Sequence, residues 1–137
     1  MKYIADKNIA MEQLINLYTS VGWSSYTQNP QQLQNAVVNS LFAICAYDQN
    51  QLVGLIRVVG DGLTIIYIQD LLVNPVYQRR GIGTKLIKSV LKKYDSVRQK
   101  VLLTENTVKT RMFYESCNFN PCDKYNLIAF YWTVKSK

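Results

Sequence analysis

Residues 64–94 read TIIYIQDLLVNPVYQRRGIGTKLIKSVLKKY, and this stretch decides the fold. Thr64 to Val73 is nearly continuous in apolar character, as a strand inside a sheet should be, and Asn74-Pro75 stops it. From about Gly81 to Tyr94 a helix is expected. Leu86, Ile87, Val90, Leu91 and Tyr94 fall on one face, and Lys85, Lys88, Lys92 and Lys93 fall largely on the other. KVLLTE, Lys100 to Glu105, then reads as a short strand. Strand, crossover helix and strand imply a parallel pair with a right-handed connection.

Upstream, LFAICAY (41–47) and LVGLIRVVG (52–60) are β-rich runs separated by Asp48 to Gln51, which predicts an antiparallel hairpin. Met11, Leu14, Ile15, Tyr18 and Val21 keep helical spacing over Asn8 to Val21, with Asp6 or Asn8 available as a cap. The polar stretch Val21 to Pro30 is turn-rich, and Pro30 is placed to open a second helix that buries Leu33, Val37 and Leu41. Downstream, Val108 to Cys117 reads as a helix with Met112 and Phe113 inward. Asn118 stands where a left-handed residue ends a helix, and Asn126 to Val134 reads as a closing strand. The expected fold is α/β (α+β): one domain over residues 1–137, with a mixed, mostly antiparallel sheet and a central βαβ parallel pair.

A chain of 137 residues with 48% apolar and 18% charged residues suits one globular domain and excludes general disorder. It contains no histidine, so no Ser-His-Asp triad, Cys-His dyad, H-E-x-x-H zinc helix or histidine acid/base can be built. Cys45, Cys117 and Cys122 are too few and scattered for a disulfide framework, and too few for a zinc site. No metal is expected. The first residues lack the apolar core of a signal peptide, and the longest apolar run, Leu41 to Tyr47, cannot span a bilayer. The expectation is a soluble, cytoplasmic protein with no membrane partner.

The net charge of +7 is unevenly placed: between Asp70 and Asp95 there is no acidic residue, yet Arg79, Arg80, Lys85, Lys88, Lys92 and Lys93 lie there. A helix start exposes unpaired N–H groups and the positive end of a dipole, so main-chain donors can hold a phosphate. Gly81 and Gly83 clear the approach, and Arg79 and Arg80 add charge beside it. A pyrophosphate is the natural guest. The ATP and NAD fingerprints do not fit, because there is no G-x-x-x-x-G-K-[ST] and position 86 is Leu where a third glycine would stand. Nucleic acid is not expected either, since no interleaved aromatics or recognition helix accompany the charge.

Gln78-Arg79-Arg80-Gly81-Ile82-Gly83 resembles the acetyl-coenzyme A signature Q/R-x-x-G-x-G/A of the GCN5-related N-acetyltransferases. The resemblance extends over YIQDLLVNP, KVLLTEN and VKTRMFYESCNF, the last similar to the family's F-Y-x-x-x-G-F element with Asn118 in place of the glycine. It implies an enzyme that transfers the acetyl group of acetyl-coenzyme A to a primary amine, here expected to belong to a small molecule. Gln78, Arg79, Arg80, Gly81, Ile82, Gly83 and Thr84 would cradle the pyrophosphate. The backbone of Leu71, Leu72 and Val73 would pair with the pantetheine arm, with Asn106 near it. Tyr114 would protonate the departing thiolate.

For the base, the residues leave Asp70, Glu105 or a water held by Gln69 and Tyr67. Strand alternation sets Tyr67 and Gln69 on one face and Asp70 on the other. By the same resemblance the acceptor site is framed by the first two helices, with Trp23, Ser24, Ser25 and Tyr26 lining it beside Tyr67 and Gln69. Members of the family often form homodimers, and that partner is entertained here. The competing readings are a non-catalytic acyl-coenzyme A sensor and an acetyltransferase acting on a protein or peptide amine.

Overall fold

The computed structural model describes residues 1–134. The chain divides into two units, the first ending at Leu103 and the second beginning at Thr104. In the first, the elements run β1 (Lys2–Ala5), α1 (Met11–Ser20), α2 (Ser24–Thr27), α3 (Pro30–Val38), β2 (Phe42–Asp48), β3 (Gln51–Gly60), β4 (Ile65–Val73), α4 (Ile82–Lys93) and β5 (Gln99–Leu102). The sheet order is β1-β2-β3-β4-β5. Every pairing is antiparallel except β4 with β5, which is parallel. The fold is thus the expected mixed α/β arrangement with its βαβ pair.

Several local expectations change. β1 was not anticipated, because KYIA is short and bears only one half-buried position. The turn-rich stretch after α1 contains the single turn α2. Neither Asp6 nor Asn8 caps α1, whose cap residue is Ala10 without a side-chain bond; the Asn8 amide instead donates to Asp6 Oδ1 at 2.8 Å. Asn29 caps α3, Pro30 opens it, and Leu33 and Val37 are buried. Leu41 lies beyond its end and is only half-buried.

The hydrophobic core occupies both faces of the sheet. On one, Leu14, Leu17 and Tyr18 of α1 with Leu33 and Val37 of α3 pack on Ala43, Cys45, Leu55 and Leu72. On the other, α4 buries Ile82, Leu86, Ile87 and Val90, each such side chain contributing about 1.5–3 kcal/mol. Gly54 in β3 sets that second approach. A methyl group there would lie 3.1 Å from Ile82 Cγ2 and 3.4 Å from Leu86 Cδ1, so a side chain would push α4 away. The lysines of α4 face outward as expected, Lys85 lying over the Tyr3 ring and Lys93 over Phe42.

β4 is not a regular strand. Arg57 of β3 opposes Asp70, and the next residue, Val58, opposes Ile68, which leaves Gln69 as the extra residue of a bulge. Strict alternation therefore fails at this point. Gln69 and Asp70, expected on opposite faces, both reach the hydroxyl of Tyr26.

In the second unit, α5 (Val108–Ser116) is capped by Thr107, whose hydroxyl accepts from the Thr110 amide at 3.2 Å. Asn118 takes the expected left-handed conformation, φ +70°. The amide of Asn118 donates to Glu115 O and that of Phe119 to Tyr114 O, both at 3.0 Å, the paired bonds of a Schellman end. Its accompanying apolar contact is Phe119 against the Tyr114 ring, centroids 5.9 Å apart. Met112 is 65% exposed and not inward, while Phe113 is half-buried. Asn126 to Val134 forms no strand. A β-rich run becomes a strand only against a pairing edge, and the second unit holds no other strand among its described residues.

Candidate active site

The loop from Asn74 to Gly81 is held from both sides. Asn74 Oδ1 accepts from the Val76 amide and opens a 3₁₀ turn over Pro75–Tyr77. The Tyr77 hydroxyl donates to Asp48 Oδ2 at 2.6 Å, and the Arg80 guanidinium sits 5.0 Å from the Tyr77 ring centre. Gln78 Nε2 donates to the Val73 carbonyl. The backbone then passes through left-handed Arg79, φ +65°, and left-handed Gly81, φ +82°. Gly81 is the cap residue of α4 and has no side chain to satisfy the helix start. Open space surrounds the position of its missing Cβ, so the requirement for glycine comes from conformation.

The first intrahelical donor of α4 is Lys85, to Gly81 O at 3.0 Å. Among the described residues the amides of Ile82, Gly83 and Thr84 have no acceptor. These donors, with the helix dipole and the exposed Arg79 and Arg80 side chains, form a site that fits a phosphate.

The strand leading into this loop has a free edge. β4 pairs with β5 only from Ile65 to Ile68, but continues to Val73 against β3. From Gln69 to Val73 the backbone groups on the β5 side lie beyond the parallel ladder. Leu72 is buried in the core, whereas Leu71 and Val73 are half-exposed. An extended chain with amide groups could pair along this edge.

Around the bulge, Trp23, Tyr26, Gln69 and Asp70 are brought together. Tyr18 and Tyr26 rings lie 5.0 Å apart, and Trp23 is 6.0 Å from Tyr18 and 6.2 Å from Tyr26. The Tyr26 hydroxyl donates to Asp70 Oδ1 at 2.8 Å and accepts from Gln69 Nε2 at 3.2 Å. The other Asp70 oxygen receives Tyr18 Oη and Arg57 Nε, each at 2.9 Å, and the Arg57 guanidinium forms an ion pair with it. Burial, then the Asp70 charge, raises both tyrosines above the ordinary phenol range. Ser24 and Ser25 are exposed, and Tyr67 is half-buried on β4.

Arg57 and Tyr18 are partners that the sequence reading missed. A signal was present: Arg57 is the single charge in β3, as Asp70 is in β4. Two opposite charges in otherwise apolar neighbouring strands should find each other.

In the second unit, Asn106 Oδ1 accepts from Arg111 Nε at 2.8 Å. Tyr114 is half-buried between Phe113 and Phe119. Burial above all, with a smaller contribution from the neighbouring Cys117, pushes its hydroxyl up to about 12, so it holds its proton at neutral pH. Cys117 is buried and Cys122 exposed. Among the described residues no three His, Cys, Asp or Glu side chains gather as metal ligands, and no helix is long and apolar enough to cross a membrane.

Residues 11–127 match the family model described as an acetyltransferase (GNAT) domain. The chain is 31% identical over 131 residues to an uncharacterised N-acetyltransferase, ycf52-like, of Prochlorococcus marinus, covering 90% of this chain and 68% of that protein. It is 35% identical to the structure of a GNAT-family acetyltransferase from Streptococcus pneumoniae TIGR4, with 98% of each chain covered and a TM-score of 0.87. At 12% identity it shares the fold of aminoglycoside N-acetyltransferase AAC(6')-Iy, solved in complex with CoA, with a TM-score of 0.75 over 96% of this chain and 93% of that one. With this agreement of family model, relatives and fold, the chain belongs to the GNAT family of acetyltransferases.

Proposed function

We propose that this acetyltransferase moves the acetyl group of acetyl-coenzyme A to the primary amine of a small molecule, with no metal. The observation that carries this reading is one continuous segment, Gln69 to Thr84. It joins a strand edge beyond its parallel ladder to a helix start with unpaired amides and two adjacent arginines. Gln78 to Thr84 would hold the pyrophosphate. The backbone of Leu71, Leu72 and Val73 would pair with the pantetheine arm. The CoA complex of AAC(6')-Iy supports this donor for the shared fold, and that protein's action on aminoglycosides supports a small amine.

In the step itself, the amine nitrogen attacks the thioester carbonyl, the C–S bond breaks, and Tyr114 gives its proton to the departing sulfur. The nitrogen releases its extra proton to water, and water returns one to Tyr114. Asp70 makes a poor base, because its oxygens already accept from Arg57, Tyr18 and Tyr26. Its part is a brace. Capture of an already neutral amine, or deprotonation through a water near Gln69 and Tyr67, serves instead. Trp23, Tyr26, Tyr67 and Gln69 would line the acceptor site.

The test is thiol release from acetyl-coenzyme A against polyamines, aminoglycosides, arylalkylamines and short peptides. Turnover with a small amine is expected. Turnover confined to peptides would replace the substrate class. Release at background throughout, while acetyl-coenzyme A still raises the melting temperature, would replace transfer by sensing.

A further inference from the structure

Asp70 lies under the acceptor wall with all its neighbours donating to it. Oδ2 takes Arg57 Nε, Arg57 Nη2 and Tyr18 Oη, each at 2.9 Å, and Oδ1 takes Tyr26 Oη at 2.8 Å. Arg57 is itself held, its Nη1 3.3 Å from Ser40 Oγ, which in turn donates to Ala36 O. A carboxylate paired with a guanidinium has only lone pairs to offer. Tyr26 must therefore spend its single proton on Asp70.

That commitment gives the network a direction. With its proton engaged, the Tyr26 oxygen can only accept, so its other neighbours, Arg57 Nη2 at 3.5 Å and the Gln69 amide, must each present a donor. Gln69 meets it with Nε2, at 3.2 Å. The two ends of a glutamine amide are opposite in character, and the network around them decides which way it turns. Nitrogen inward means carbonyl oxygen outward. Gln69 is exposed, and the bulge puts its side chain beside that of Asp70.

We propose that Tyr26, its proton held by the Arg57–Asp70 pair, is a positioning residue that turns Gln69 Oε1 toward the acceptor, where it receives an N–H of the amine. This rests on the acetyl-transfer reading above and deepens it. An outward carbonyl oxygen selects a guest that donates, a primary amine or its ammonium, and disfavours one that only accepts. The flanking rings of Trp23 and Tyr26 suit the same guest.

The test uses the small amine that gives the fastest thiol release from the panel, with the full chain and acetyl-coenzyme A. Tyr26→Phe keeps the ring and the Arg57–Asp70 pair but frees the Gln69 amide to rotate; Gln69→Leu removes the acceptor oxygen. Each should raise KM for the amine about tenfold, the scale of one lost hydrogen bond to a charged group, and leave KM for acetyl-coenzyme A within about twofold. The double variant should be no worse than Gln69→Leu alone, because the Tyr26 hydroxyl acts through Gln69 and the ring is kept in Tyr26→Phe. Effects that multiply, or an amine KM that Gln69→Leu does not move, overturn the proposal while acetyl transfer stands. Absence of turnover with every amine overturns the acetyl-transfer reading and this one with it.

Discussion

Arg57 Nε and Asp70 Oδ2 stand 2.9 Å apart, joining two neighbouring strands across the β4 bulge at residues only 6% and 4% exposed. A buried charge is tolerated because its partner is there, so removing one member costs far more than the pair gains. Arg57→Met should lower unfolding stability by about 3–5 kcal/mol. Arg57→Met with Asp70→Leu should recover part of that loss, leaving only the two tyrosine hydroxyls without their acceptor. Urea midpoints at unchanged m-value read both. A double variant as unstable as the sum of the singles would mean that the two residues are not energetically coupled.

The buried Tyr18 and the half-buried Tyr26 and Tyr114 make stability depend on alkaline pH. Tyr114 is raised from 10.0 to about 12, and Tyr18 and Tyr26 are raised as well. An acid that is harder to ionise when folded contributes stability that is fully present below its unfolded pKa and is lost as pH climbs through the folded one. Stability set by these groups should hold from neutral pH to about 9 and fall from about 10 to 12. Tyr114→Phe should remove its own share of that slope. A fall beginning near pH 8 would have to come from other groups.

The proposed phosphate loop can fail without the fold failing. Gly81 needs its left-handed conformation, so Gly81→Ala should cost about 1–2 kcal/mol in unfolding stability. Gly83→Val places a branched side chain beside the free amides on the first turn of α4. It should weaken coenzyme A binding by tenfold or more, roughly the loss of a charge-assisted bond, with a melting temperature near that of the parent. Calorimetric titration with coenzyme A separates the two, and unaltered affinity in Gly83→Val would remove the cradle.

How much was readable depends on how local each signal is. The βαβ centre, the hairpin and the left-handed Asn118 rest on periodicity, turn chemistry and one residue's tolerance of positive φ, all present within a few positions. The glycine loop was legible for the same reason. β1 was missed because four mostly exposed residues carry no pattern of their own and exist as a strand only through β2. The Gln69 bulge is a property of two paired strands, invisible in either one, and it undid the alternation argument. Asn126–Val134 shows the converse: strong β character in a segment that forms no strand. Arg57 was overlooked although its lone charge in β3 was visible, because burial turns a charge into a demand for a partner only once the strands are side by side.

In the acid role proposed for it, Tyr114 offers the sharpest separation of chemistry from binding. Its hydroxyl retains its proton across the physiological range, with a pKa pushed to about 12, and the Schellman end of α5 holds the ring against Phe119. An acid that works only as the C–S bond breaks contributes to the transition state and little to the bound substrates. Tyr114→Phe keeps the ring packing and should lower kcat by about 10²–10⁴-fold with little change in KM for acetyl-coenzyme A. Because the group stays protonated well past neutrality, its loss should depress the rate at every pH from about 6 to 9 by a similar factor. A normal kcat in Tyr114→Phe, or a change confined to KM, would assign the proton to water and leave Tyr114 as packing.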